Sequence, residues 1–224
     1  MIKGLIFDYG GTLDTHGCHW GMMIWHTYER LGVPVDEMAF RDAYVYTERM
    51  LGKNRIIGPE DSFLTVLTKK ISIQMNYLQL EGYTDAVVDD LYRQVQQNTA
   101  HTVAVLQKLN RRYPLVLVSN FYGNIHTVLQ EFGLDHVFLR VIESAVVGVR
   151  KPDPQIFRLG VEALGVAPDE VVVIGDSVEK DMTPAHQLGC RTIWFRGEGW
   201  TPQPEDLSVI DDMITDLQDL FSLC

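Results

Sequence analysis

Val171-Val172-Val173-Ile174-Gly175-Asp176-Ser177 is the stretch that decides how this chain folds. Four branched apolar residues in a row leave no solvent face. Such a run fits a central strand of a parallel sheet covered by helices on both sides. Leu115-Val116-Leu117-Val118 has the same character. Outward from these two lie shorter apolar runs, Leu5-Ile6-Phe7, Val137-Phe138-Leu139 and Thr192-Ile193-Trp194-Phe195. Helical spacing separates them. Val103, Leu106 and Leu109 mark one helix; Ile125, Val128, Leu129 and Phe132 mark another, closed by Gly133; Met213, Ile214, Leu217, Leu220 and Phe221 predict an amphipathic helix at the C-terminus. Strand alternating with helix predicts an α/β fold, a Rossmann-like doubly wound parallel sheet.

The alternation is interrupted after the first strand. Between about His16 and Gln96 only helical stretches are found, including Phe63, Val66, Leu67, Ile71 and Val87, Val88, Leu91, Tyr92, Val95. An insert of about 80 residues is too long for a loop. It reads as a helical cap over residues 16–96, on a core formed by 1–15 and 97–224. Trp20, Trp25, Tyr28, Tyr44 and Tyr46 supply aromatic mass for the cap's own core.

The 224 residues are 46% apolar and 22% charged, enough apolar surface for one core with one inserted subdomain. The net charge of −11 argues against nucleic acid as a partner. Much of that charge is local: residues 197–224 hold seven acids and neither Lys nor Arg, which leaves −4 for residues 1–196. Cys18, Cys190 and Cys224 form no CxxC pair and no zinc spacing, so reduced thiols and a cytoplasmic location are expected. Cys18 reads as a small buried apolar residue rather than a nucleophile. The N-terminus runs straight into a strand without signal-peptide features, and no apolar run approaches the ~20 residues a membrane span needs.

Open α/β sheets bind ligands at the carboxyl ends of their strands. Asp8 follows the first run, Ser119 and Asn120 the second, Arg150 and Lys151 come some way after the third, and Asp176, with Asp181 five residues on, follows the fourth. Carboxylates gathered at one edge repel each other unless a cation neutralises them, and Mg²⁺ prefers oxygen ligands. A lysine and a hydroxyl beside that cation can hold a phosphoryl group. One carboxylate can then act as nucleophile.

In their order and placement these motifs, Phe7-Asp8-Tyr9-Gly10-Gly11-Thr12-Leu13, Ser119-Asn120, Lys151-Pro152-Asp153-Pro154 and Gly175-Asp176 with Asp181, resemble the haloacid dehalogenase superfamily, in particular its capped, phosphatase-like members. The resemblance covers essentially the whole chain. It implies hydrolysis of a small phosphorylated metabolite through an aspartyl-phosphate on Asp8. Ser119 and Asn120 would bind the phosphoryl group, Lys151 would balance its charge, and Asp8, the Gly10 carbonyl, Asp176 and Asp181 would hold Mg²⁺.

One position departs from that pattern. The family's phosphatases carry a second Asp two residues after the nucleophile, where it protonates the leaving oxygen; here it is Gly10. Glycine keeps the carbonyl ligand and loses the proton donor, so slow ester cleavage is expected. Asp14, His16 or His19 could substitute. A phosphonatase-like reaction, carbon–phosphorus bond hydrolysis with cap Lys53 forming a Schiff base and contacting substrate, is the alternative within enzymes. A non-catalytic protein binding a phospho-ligand or a protein partner is the alternative outside them.

Overall fold

The computed structural model describes residues 1–201 and 207–224. Glu205 and Asp206, counted above among the C-terminal acids, lie outside the described residues. Six parallel strands, β1 (Gly4–Phe7), β2 (Leu115–Ser119), β3 (Arg140–Glu143), β4 (Val171–Gly175), β5 (Arg191–Phe195) and β6 (Asp212–Ile214), form one sheet in the order β3-β2-β1-β4-β5-β6. This is the doubly wound order, and its switch point lies between β1 and β4, where the crevice at the strand ends opens. β1 is in register with β2 through Leu5↔Leu115 and with β4 through Leu5↔Val172.

Alternation of side chains divides the strands between two apolar layers. Leu5, Phe7, Leu117, Val172 and Ile174 face one layer; Ile6, Val116, Val118, Val171 and Val173 face the other, with Ile156 and Phe157 of helix Gln155–Leu164. All ten strand residues are fully buried, which explains the unbroken apolar runs.

Residues 16–96 contain helices and loops only: α1 (Trp20–Arg30), α2 (Glu37–Lys53), α3 (Phe63–Leu78) and the first half of α4 (Thr84–Leu109). Each of α1 to α3 begins at a side-chain cap, His19, Asp36 and Ser62, that accepts a backbone N–H of the first turn. α4 runs without a break through 96–97, where the boundary between core and cap is expected. Phe40, Phe63, Ile71 and Val87 belong to the same apolar cluster as Leu5 and Phe7, so the insert's core is continuous with one face of the sheet. Tyr28 and Tyr44 are buried in it. Trp20 and Trp25 are half-buried, and Tyr46 is exposed against Tyr77.

Two expectations need correction. The third strand is Arg140–Glu143, not Val137-Phe138-Leu139. It is an edge strand whose last two residues alone are buried, so it carries no apolar run, and Leu139 is exposed. The C-terminal amphipathic helix is replaced by β6, a turn, and the short helix Leu220–Leu223. Ile193↔Asp212 and Phe195↔Ile214 pairing draws Met213 and Ile214 into the sheet. Asp216 then caps a new turn by accepting the Gln218 N–H at 2.7 Å.

Candidate active site

The sheet places four functional segments at one edge. Asp8 leaves β1, Ser119 ends β2, Asp176 follows β4, and Lys151 arrives on the loop after β3. Lys151 is 4% exposed, and its Nζ donates to Asp8 Oδ1 at 2.5 Å and to Asp181 Oδ1 at 2.7 Å. Asp181 Oδ2 accepts the Ser177 N–H at 3.1 Å, so the turn after β4 aims Asp181 at the lysine. Thr12 Oγ1 lies 3.2 Å from Asp8 Oδ2 and 3.4 Å from Asp176 Oδ1, tying the two carboxylates together. Trp194 Nε1 donates to the Asp176 carbonyl at 2.8 Å and pins that turn to β5.

Carboxylate oxygens of Asp8, Asp176 and Asp181 all lie within 4.8 Å of one another. Burial, then Asp8 and Asp181, push Asp176 well above the usual carboxylate range. Burial also raises Asp181, to about 6, against the pull of Lys151. Burial opposes the charge on Lys151, but Asp181 and Asp8 outweigh it and hold the ammonium above its ordinary pKa. One lysine against three buried acids leaves uncompensated negative charge. An all-oxygen donor set with excess negative charge fits a Mg²⁺ ion.

Glycine is required twice here. Gly11 sits at φ +100°, and a Cβ there would collide with the Asp176 carboxylate. A Cβ on Gly175 would lie 2.5 Å from the Asp181 carboxyl carbon. Gly10 is different: its added Cβ meets only the Trp20 indole, at 3.8 Å.

These groups floor a cavity of about 1080 Å³ that the insert walls on the other side. Asp8, Gly10, Ser119, Asn120, Lys151, Asp176 and Asp181 all line it, and so does Lys53. Asn120 also positions the lysine. Its Oδ1 accepts the Lys151 N–H at 2.9 Å and its Nδ2 donates to the Lys151 carbonyl at 3.1 Å, which leaves one N–H of the amide for another partner. Lys53 is exposed at the end of α2, at the cavity mouth.

The three candidates for the missing acid separate cleanly. His16 is exposed and outside the cavity. His19 lines it, but burial and then Lys180 lower its pKa to about 4, and its Nδ1 accepts the Gly21 N–H at 3.0 Å. It is neutral near pH 7 and gives up no proton. Asp14 is buried, and burial raises it to about 7 despite the Gly11 and Trp20 hydrogen bonds. Those bonds, Gly11 N–H to Oδ1 at 2.8 Å and Trp20 Nε1 to Oδ2 at 2.9 Å, occupy both of its oxygens. Asp14 anchors the loop after β1 to α1. Cys18 carries a thiol that burial, then Glu198, pushes up to about 12, so no thiolate is available.

An ion pair in the insert, with its lysine buried, went unmarked in the sequence. Lys70 of α3 bridges to Glu48 of α2 at 2.7 Å, and Tyr122 donates to Glu48 at 3.2 Å. All three line the cavity. Burial works to discharge Lys70, but Glu48 reverses this and holds it well above its ordinary pKa. It is an ammonium group rather than the neutral amine a Schiff base needs. Its only legible trace in sequence was a lysine on the apolar stripe of α3.

Sheet order, strand-end carboxylates and the paired lysine together point to a hydrolase. The chain belongs to the haloacid dehalogenase-like hydrolases, whose family model matches residues 2–189. It is 41% identical over 91 residues to the phosphoserine phosphatase of Thermus thermophilus, a match covering 40% of this chain and 35% of that protein. It is 34% identical over 91 residues to the glyceraldehyde 3-phosphate phosphatase of Pyrococcus furiosus, covering 40% and 38%. The chain thus spans little more than a third of the length of these relatives. Among solved structures, a dehalogenase captured as an intermediate complex superposes with a TM-score of 0.69 at 19% identity, covering 99% of this chain and 96% of that one. A phosphatase of the family from Thermococcus onnurineus gives 0.58 at 22%, covering 99% and 97%. At such identities the likeness is one of fold. No helix among the described residues is long and apolar enough to cross a membrane.

Proposed function

We propose that the protein is a Mg²⁺-dependent phosphatase of a small phosphorylated metabolite, with Asp8 as nucleophile and residues 16–96 as the cap that closes over the substrate. The observation that carries this reading is Lys151, buried between Asp8 and Asp181 with Asp176 alongside. The relatives named as phosphatases support the same reading. Asp8, the Gly10 carbonyl, Asp176 and Asp181 would hold the ion. When bound, it neutralises the acids and polarises the phosphoryl oxygens.

In the first step an Asp8 oxygen forms a bond to phosphorus while the ester oxygen–phosphorus bond breaks, leaving an aspartyl-phosphate and an alkoxide that must take up a proton. Lys151 and Ser119 stabilise the charge on the transferring oxygens. In the second step water attacks phosphorus, the Asp8–phosphorus bond breaks, and inorganic phosphate leaves. Thr12 and Asp181 keep Asp8 and Lys151 in attacking geometry, and the walls of the cavity exclude bulk water. Gly10 offers no proton to the alkoxide. Esters with basic leaving groups are therefore cleaved slowly. The carbon–phosphorus alternative rests on Lys53, which lines the cavity but is exposed at the end of α2, away from the buried Asp8–Lys151 pair.

Phosphate release from a panel of phosphate esters with Mg²⁺ tests the proposal. Asp8→Asn keeps an oxygen for Lys151 and removes the nucleophile, and release is expected to fall to background. Equal release in that variant overturns the nucleophile assignment, and no release from the wild-type chain favours a binding protein on the same fold.

A further inference from the structure

The cavity carries a charge pattern at its mouth that hydrolysis of a simple phosphate ester does not use. On its floor and inner wall, the lysines are neutralised: Lys151 by Asp8 and Asp181, Lys70 by Glu48. At the mouth stand five exposed cations, Arg49, Lys53, Arg55, Arg150 and Lys180. None of the five makes an ion pair among the described residues, although the chain as a whole carries −11. Outside the cavity pairing is mixed: Lys3–Glu170, Arg30–Asp90, Lys69–Asp61 and Arg191–Asp212 are ion pairs, while Arg93, Arg140 and Arg158 have none among the described residues, so it is the gathering of five cations at one opening that sets the rim apart.

The fold does not require this arrangement. Arg49 and Lys53 lie one turn apart on α2, where like charges repel. The helix dipole favours Lys53 in the last turn. It does nothing for Arg150, on a loop of the sheet domain, or for Lys180, in the helical turn Val178–Met182 after β4, and both line the same cavity. Two separate parts of the molecule therefore present positive charge to one opening. The cavity, at about 1080 Å³, lies at the upper end of small-molecule sites and leaves room well beyond a phosphoryl group.

Resting on the phosphatase reading, we propose that the substrate carries a second anionic group, a phosphate or carboxylate at the end remote from the scissile phosphoryl group, and that Arg49, Lys53, Arg55, Arg150 and Lys180 bind it at the cavity mouth. An anion there contacts cap and core together, and the cationic rim concentrates polyanions against the acidic remainder of the surface. This is an ionic-strength-dependent selection, because exposed charges are screened within about 10 Å at 0.1 M salt.

Calorimetric titration of the full chain with Mg²⁺ and linear α,ω-bisphosphonates of three to eight carbons, against n-alkyl monophosphonates of equal length, tests this without turnover. Beyond a threshold length the bisphosphonate is expected to bind at least tenfold tighter at low salt. That advantage should shrink severalfold in 0.5 M NaCl and fall below threefold in R49Q/R55Q, with α,ω-phosphono-carboxylates distinguishing a carboxylate from a phosphate as the remote group. Equal affinity of the paired ligands at every length, or an advantage indifferent to R49Q/R55Q, overturns the proposal. An acidic phosphopeptide that binds tighter than every bisphosphonate overturns it in favour of a protein substrate. Loss of Asp8-dependent phosphate release with the bisphosphonate preference intact refutes the phosphatase reading and not the second anion site.

Discussion

Gly10→Asp is the substitution on which the chemistry of this site turns. Gly10 lies outside the left-handed backbone region, so a side chain adds no backbone strain. Its Cβ meets only the Trp20 indole, at an ordinary contact distance of 3.8 Å. The new carboxyl enters a neighbourhood already holding Asp8, Asp14, Asp176 and Asp181, with Lys151 as the cation among them. Burial and like charge push such a group upward in pKa, which is the state a proton donor needs. A positioned general acid contributes roughly 10²–10⁴ in rate, or about 3–5 kcal/mol at 1.36 kcal/mol per tenfold. The assay is phosphate release under saturating Mg²⁺ for two esters of similar size, an alkyl phosphate and p-nitrophenyl phosphate. The alkyl ester, whose alkoxide must be protonated, is expected to gain ~10²-fold or more. The nitrophenyl ester needs no proton and should gain far less. A variant that melts like the wild type and gains nothing on the alkyl ester refutes the reasoning, because another group would then already deliver the proton.

Two further substitutions test the supports of the site. In Gly175→Ala the added methyl falls 2.5 Å from the Asp181 carboxyl carbon, so Asp181 must shift and loosen Lys151. A displacement on this scale costs roughly 10²-fold in turnover, with weaker Mg²⁺ binding by calorimetry; unchanged kinetics and affinity would contradict the positioning role of Asp181. Asp14→Asn removes a carboxyl whose folded pKa is raised from 3.8 to about 7. The neutral form is the one the fold favours, so its stabilisation is complete below about pH 4 and is lost as pH rises to about 7, amounting to about 4 kcal/mol across that window. Urea unfolding of both proteins between pH 4 and pH 7.5 should show the wild type losing its advantage over the variant as pH rises, and a pH-independent gap would be inconsistent with it.

What could be read from the sequence follows from how local its cause is. β4 and β2 are buried on both faces, so their runs are apolar at every position and stand out. β3 lies at the edge with two covered residues and leaves no pattern. β6 owes its existence to pairing with β5, a partner about 20 residues away, and the helical spacing of its apolar residues pointed the other way. In the site, Asp8, Ser119 and Asp176 were legible because each sits at a strand end, where the sheet fixes its place, whereas Lys151, on the loop well past β3, was legible through its Lys151-Pro152-Asp153-Pro154 motif. Lys70 and Glu48 were not, because they meet only when α2 packs on α3, and nothing in either helix signals the other. Asn120 was legible as a residue of the cavity, but its hold on Lys151 was not, because that depends on a loop 31 residues away.

Trp20 links these two kinds of residue. It belongs to α1, in the insert, yet its indole nitrogen is held by Asp14, which is itself held by the Gly11 N–H beside the nucleophile. The same indole lies over the position where the family's phosphatases place their acid, and Lys70 stands 5.7 Å above its ring. Breaking the Trp20–Asp14 bond would leave a buried carboxyl short of a donor, a loss of about 1–3 kcal/mol. α1 is therefore joined to the nucleophile loop rather than free to swing from it. At the other end of the insert, α4 continues unbroken into the sheet domain. α2 and α3, which carry Glu48, Lys70 and the rim cations Arg49 and Lys53, are held as well, by Tyr122 on Glu48 and by the Phe63 N–H on Glu131.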